Sequence, residues 1–241
     1  MKKKKWVYIL IITVLSVLVL VFYTALNGNP ITKQLSKMTL TSYLDISYPK
    51  EEFTIDKPFY NFKNSGYDFA VTRIGDPSQT LYDFTVSGIF NTKVHYDGIY
   101  YANQDTRLIK KYEKKAVENL NNLLIKDVPE INEVNVQMEI LKGKYDIESV
   151  WSREFAPEKP MNIYIAIDSR KLSKQEFLKA IMTIQNSLNK NNYDYQNVSI
   201  DGKLFDNLND IEDQNSWYVK YSSSFEKDTQ LDIKQVQQFD Q

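Results

Sequence analysis

The sequence has no cysteine and a single histidine. Without cysteine there is no disulfide, no thiol nucleophile, no zinc–thiolate site and no lipid-modified lipobox cysteine. One histidine excludes a multi-histidine metal centre, and no metal or cofactor is expected. Glycine and proline number seven each, too few for a collagen-like or flexible-repeat chain. The net charge of −1 lacks the basic surplus of a nucleic-acid binder. What remains, 42% apolar and 25% charged, is the composition of a folded protein, and 241 residues suffice for one large domain or two small ones.

The charge is unevenly placed. Lys2, Lys3, Lys4 and Lys5 precede an uncharged apolar run from Trp6 to Leu26. As a helix this run spans about 31 Å, which matches a bilayer core of about 30 Å. Trp6, Tyr8, Phe22 and Tyr23 sit where interfacial aromatics belong. A cleaved signal peptide is the rival reading. The run is longer than a signal h-region, and Ala25-Leu26-Asn27 lacks the small residue that a cleavage site needs. An uncleaved anchor at 6–26 is therefore expected. The lysines stay in the cytoplasm as a tail over 1–5, and the remainder lies outside the cell membrane. That remainder is acidic overall, which argues against its lying flat on anionic lipid.

Two units are expected beyond the anchor, in an α+β fold. The first, over 27–101, is a helix followed by an antiparallel β-meander. Asn29 caps the helix, Pro30 takes its first position, and Ile31, Leu35 and Met38 recur at helical spacing. Phe53 and Ile55 begin a strand that Pro58 interrupts, so it lies at an edge or carries a bulge. Tyr67, Phe69 and Val71 alternate with Asp68, Ala70 and Thr72 as a half-buried strand. Tyr82, Phe84 and Val86 form the next, and Val94 with Tyr96 the last.

The second unit, over 102–225, reads αββαββ, with both helices on one face of a sheet. Leu108, Tyr112, Ala116, Leu120 and Leu123 give the first helix its stripe. Val134, Val136, Met138 and Ile140 form a strand, and Ile163, Ile165 and Ile167 a central one. Ser173 and Glu176 form a capping box, with Leu172 and Phe177 placed as a hydrophobic staple. Strands at Val198 to Ile200 and Trp217 to Tyr221 follow, and 226–241 is expected to fray.

Several stretches resemble the YfjL-like proteins, small membrane-anchored proteins of Bacillus and relatives. They are the lysine-led anchor from Lys2 to Leu26 and the Asn27-Gly28-Asn29-Pro30-Ile31 segment after it. Tyr48-Pro49, Tyr60-Asn61-Phe62-Lys63 and Gly66-Tyr67 follow. The likeness covers roughly residues 1–100, with only the general layout matching beyond. It implies a location at the Gram-positive cell surface and carries over no catalytic residue.

The candidates for chemistry are few. His95 is a general base if Asp97 orients it, but no G-x-S-x-G nucleophile signature accompanies it, and it reads rather as a solvated strand histidine. Asp201, Asp206, Asp210, Glu212 and Asp213 lack the order of a calcium loop. Glu130, Glu133, Glu139, Glu148, Glu154 and Glu158 offer carboxylates for a glycosidase pair, without the geometry that defines one. Lys110, Lys111, Lys114 and Lys115 form a basic helix surface open to teichoic acid or lipid. The tyrosines are the candidate binding residues: Tyr60, Tyr67, Tyr82, Tyr96, Tyr100 and Tyr101 cluster in the first unit, and exposed on a sheet they suit a glycan or an extended peptide. The expected function is thus a membrane-tethered extracytoplasmic binding module for an envelope protein, peptide or glycan. A carboxylate hydrolase of the envelope and an accessory subunit paired through Trp6 to Leu26 are the alternatives.

Overall fold

The computed structural model describes residues 2–89, 91–152, 157, 159–205 and 217–239. The fold is α+β and divides into two compact units, Met1–Asn103 and Gln104–Gln241, just past the boundary expected at residue 101.

The first unit begins with helix α1, Lys2–Asn27. It is long and apolar enough to cross a membrane, and none of its apolar window is buried against other described residues. Helix α2, Pro30–Ser47, starts where expected: the Asn29 side chain accepts the Thr32 N–H, and Pro30 supplies the first turn. Its buried face is Thr32, Ser36, Leu40 and Leu44, whereas Ile31 and Met38 point outward. Small residues at 32 and 36 let the helix approach the sheet closely, which apolar spacing alone did not reveal.

That sheet holds β1 (Phe53–Ile55), β2 (Phe59–Asn61), β3 (Gly66–Arg73), β4 (Leu81–Ser87) and β5 (Lys93–Asp97). The order is β1-β3-β4-β5, with β2 also on β3, and all pairs are antiparallel. Pro58 lies in the break between the two edge strands, where a missing N–H costs no ladder bond. Tyr67, Phe69, Val71, Phe84 and Val86 pack with Leu40, Leu44 and Ile99 into one core. A short helix α3, Gly98–Ala102, ends the unit, with the Asp97 side chain accepting the Tyr100 N–H.

The second unit runs α4 (Thr106–Leu124), β6 (Ile131–Gln137), β7 (Met161–Asp168), α5 (Lys174–Lys190), β8 (Tyr195–Phe205), β9 (Trp217–Phe225) and β10 (Gln237–Gln238). Its sheet order is β10-β9-β8-β7-β6. β7 and β8 pair in parallel across α5, and the other pairs are antiparallel. The inward residues of β6 to β9 and the stripes of α4 and α5 form one apolar cluster, so both helices cover the same face. Gly202 permits this: a Cβ there would lie 2.9 Å from the Phe177 ring and 2.3 Å from Ser169 Oγ.

The expected capping box is present, with Glu176 N–H donating to Ser173 Oγ and Ser173 N–H to Glu176 Oε2. The first strand stops at Gln137, short of the expected Ile140. Met138 N–H donates instead to Glu113 Oε1 at 3.0 Å, while Met138 and Ile140 stay buried. Of the segment 226–241, expected to fray, residues 226–239 are instead held: Val236 is buried, a 3₁₀ turn spans Ile233–Gln235, and β10 adds an edge strand to β9.

Candidate functional site

The chemistry of the first unit gathers where β5 bends. Phe84 pairs with Asp97, Thr85 with Tyr96 and Val86 with Val94, so His95 is the extra residue of a β-bulge. The bulge reverses the parity that simple alternation implies. Tyr96 faces outward beside Thr85, and Asp97 turns inward with Phe84. The pairing of His95 with Asp97 expected from i, i+2 spacing therefore does not occur.

Asp97 serves the core side instead and is 7% exposed. Its Oδ2 accepts the hydroxyls of Tyr43 at 2.8 Å and Tyr48 at 2.7 Å, and its Oδ1 accepts the Tyr100 N–H at 2.9 Å. Burial first, then the bond to Asp97, pushes the Tyr43 hydroxyl up to about 12, and the same causes raise Tyr48. These groups lock α2 to the end of β5.

On the outer side, His95 and Tyr96 line a shallow hollow of about 440 Å³ with Asn64, Thr85 and Ser87. The Tyr96 ring stacks on Tyr101, centroids 4.9 Å apart and planes within 12°, and Tyr100 meets Tyr101 edge-on at 5.7 Å. Tyr96 and Tyr101 are each 41% exposed. Three of the six candidate tyrosines, Tyr96, Tyr100 and Tyr101, thus form one aromatic platform.

The other three stand elsewhere. Tyr67 is buried, because period-two alternation places it with Phe69 and Val71 under α2. Tyr60 packs on Tyr67 with centroids 5.1 Å apart. Tyr82, opposite Val71, packs partly into the same core, and the Arg73 guanidinium lies 5.9 Å from its ring centroid. Tyrosine identity could not separate the two groups, since the ring suits a half-buried strand as well as a binding surface.

The second unit has a polar sheet face that the tyrosine argument missed. Asn135, Gln137, Asn162, Tyr164, Asn197 and Ser199 line a shallow hollow of about 380 Å³ with Ile163. The signal was present as alternation: these positions interleave with the apolar residues of β6, β7 and β8. Tyr164 donates to Asp201 Oδ2 at 3.2 Å, and burial with the nearby Asp201 charge raises its hydroxyl pKa.

The remaining candidates are scattered. Glu139 pairs with Lys159 at 2.6 Å, and Glu133 lies 3.7 Å from the buried Lys203 ammonium. Glu130 and Glu148 are exposed. Glu154, Glu158, Asp206, Asp210, Glu212 and Asp213 lie outside the described residues. Lys111 donates to the carbonyls of Ile147 and Ser149, and Lys115 pairs with Glu118, whereas Lys110 and Lys114 are exposed on α4. Among the described residues, no cluster of three or more His, Asp or Glu side chains is placed to hold a metal ion.

An α+β chain with an apolar N-terminal helix and an exposed tyrosine platform is the class that these features define. The chain belongs to the YfjL-like family: residues 3–98 match the YfjL-like N-terminal domain and residues 115–239 the YfjL-like C-terminal domain. It is 31% identical over 223 residues to the Uncharacterized protein YfjL of Bacillus subtilis (strain 168), covering 92% of this chain and 93% of that one. The family match thus extends past residue 100 into the second unit. A crystal structure of a DUF5037 family protein from Ruminococcus gnavus aligns with 71% of this chain and 75% of its own, at 14% identity and a TM-score of 0.22. That likeness is too slight to bear on the fold.

Proposed function

We propose that this protein is a membrane-tethered, extracytoplasmic binding module of the cell envelope, anchored by α1 with its N-terminus in the cytoplasm. The length of the apolar helix and the lysines before it support the anchor and its direction. The observation that carries the binding role is the exposed Tyr96–Tyr101 stack beside the hollow of Asn64, Thr85, Ser87 and His95. A ring face paired with hydroxyl, amide and imidazole groups suits a glycan: the apolar face of a sugar stacks on tyrosine while its hydroxyls meet the polar rim.

Full-length protein in lipid nanodiscs should bind soluble cell-wall glycan fragments. Tyr96→Ala and Tyr101→Ala should each weaken binding about tenfold, or 1.4 kcal/mol. Tyr82→Phe should leave it unchanged. Equal affinity of the two alanine variants and the wild type would remove the platform from the binding role. Protease added to intact protoplasts should digest the ectodomain, and full protection until lysis would reverse the orientation.

A further inference from the structure

Two contacts fix the start of the first sheet to the end of α1. The Tyr60 hydroxyl donates to the Ala25 carbonyl at 3.2 Å, in the last turn of the helix. The Tyr67 hydroxyl donates to the Asn29 carbonyl at 2.8 Å and accepts the Asn29 N–H at 2.9 Å. Between them Gly28 takes φ +70°, and a Cβ there would lie 2.3 Å from the Tyr67 hydroxyl. The sheet is therefore seated on the joint between α1 and α2.

The end of the sheet at this joint is unusual in two independent ways. It exposes large apolar side chains: Ile31 is 72% exposed, Phe59 70%, Phe62 56% and Ile89 63%. Phe59 and Phe62 flank Tyr60 and the hairpin after it. Ile89 lies just past Ser87, which pairs with Gly66 at the base of that hairpin. The same end is also basic. The segments 26–38, 57–67 and 87–96 contain no Asp or Glu, yet hold Lys33, Lys37, Lys57, Lys63 and Lys93. A bond of 2.5 Å between Thr39 and Thr92 ties α2 to the third of these segments. Asp68, the cross-strand partner of Phe59, is an acid at this end, its carboxylate accepting from the Asn61 amide and the Thr85 hydroxyl, and the five lysines outnumber it.

We infer that this end of the first unit is a membrane-docking collar. Phe59, Phe62, Ile89 and Ile31 enter the headgroup boundary of the bilayer that holds α1, and the lysines meet anionic lipid. The occupant follows from continuity: Ala25 lies in the last turn of the apolar run that ends at Leu26, so whatever is bonded to its carbonyl lies at the membrane interface. Apolar side chains ringed by lysines are the composition of an interfacial surface. The net acidity of the chain beyond α1 is no obstacle, because screening leaves only charge within about 10 Å of the surface to act. The collar would hold the sheet in a fixed pose over the bilayer. This inference rests on α1 being the anchor.

The absence of cysteine makes the test clean. Single cysteines at Phe62, Ile89, Ile74 and Val17 are labelled with an environment-sensitive dye in the full-length chain. The protein is reconstituted into vesicles of phosphatidylcholine and phosphatidylglycerol, with and without brominated acyl chains. Ile74 follows β3, about 25 Å along the strand from Gly66, and Val17 reports the anchor. Labels at Phe62 and Ile89, about 5–10 Å deep, and at Val17, near the bilayer centre, should each lose about half or more of their emission to brominated lipid. The label at Ile74 should lose little. Charge reversal at Lys57 and Lys63 should weaken quenching at Phe62 in these vesicles but not in pure phosphatidylcholine. Quenching at Val17 with none at Phe62 and Ile89 would overturn the collar and leave the anchor standing. No quenching at Val17 would overturn the anchor as well. A blue shift at Phe62 that follows protein density and ignores brominated lipid would assign the patch to a protein contact, overturning the lipid assignment.

Discussion

Replacing Asp97 with asparagine should loosen the first unit and leave the second intact. Asparagine preserves size and keeps an oxygen for the Tyr100 N–H at the start of α3. It places an NH₂ group, however, where the Tyr43 and Tyr48 hydroxyls now donate at 2.8 and 2.7 Å. Both hydroxyls must turn to accept, and the charge assistance is lost. A hydrogen bond to a charged group contributes about 1.5–3 kcal/mol, and two partly buried ones together about 2–4 kcal/mol. That corresponds to roughly 30- to 800-fold more frequent opening. Hydrogen exchange read by mass spectrometry resolves it: peptides of α2, β4 and β5 should exchange faster by about that factor, with peptides of β7 and α5 as an unchanged internal reference. In a Tyr43→Phe, Tyr48→Phe background the same substitution should cost less than about 1 kcal/mol, since its partners are gone. An unaltered exchange rate, or a full effect persisting without the tyrosines, would refute the reasoning. The cluster also sets an alkaline limit. The Tyr43 pKa is raised from 10.0 to about 12, so its contribution is whole below pH 10 and lost as pH rises through about 12. A tyrosinate absorbance titration should show this group moving toward 10.0 in Asp97→Asn.

Ser173→Ala should cost the second unit about 0.5–2 kcal/mol through loss of the helix cap. The urea midpoint read from tryptophan fluorescence, with Trp151 and Trp217 both in the second unit, measures it, and an unchanged midpoint would move the start of α5 elsewhere. Gly28→Ala forces a side chain into the left-handed region and against Tyr67 and Tyr60, at a cost of about 1–3 kcal/mol. Tryptic nicking at Lys33 should rise, and nicking at the wild-type rate would show that the joint is not held by this close approach.

Local signals fixed much of this protein before any tertiary contact. The apolar run at 6–26, the Asn29-Pro30 helix start, the Ser173–Glu176 box and the alternation in β3, β4, β6 and β7 are properties of neighbouring residues, so the sequence alone determined those elements and the αββαββ order of the second unit. The tertiary structure decided what depends on residues meeting across the chain. Nothing local distinguishes Tyr67, sealed at the joint between α1 and α2, from Tyr96, exposed on the platform. A bulge at His95, set by the pairing of β5 with β4, turned Asp97 from a partner of the histidine into a partner of Tyr43 and Tyr48. The parallel pairing of β7 with β8 and the docking of β10 on β9 likewise depend on partners remote in sequence. Strand parity is cumulative, so one inserted residue reverses every face after it, and that insertion is defined only by the neighbouring strand.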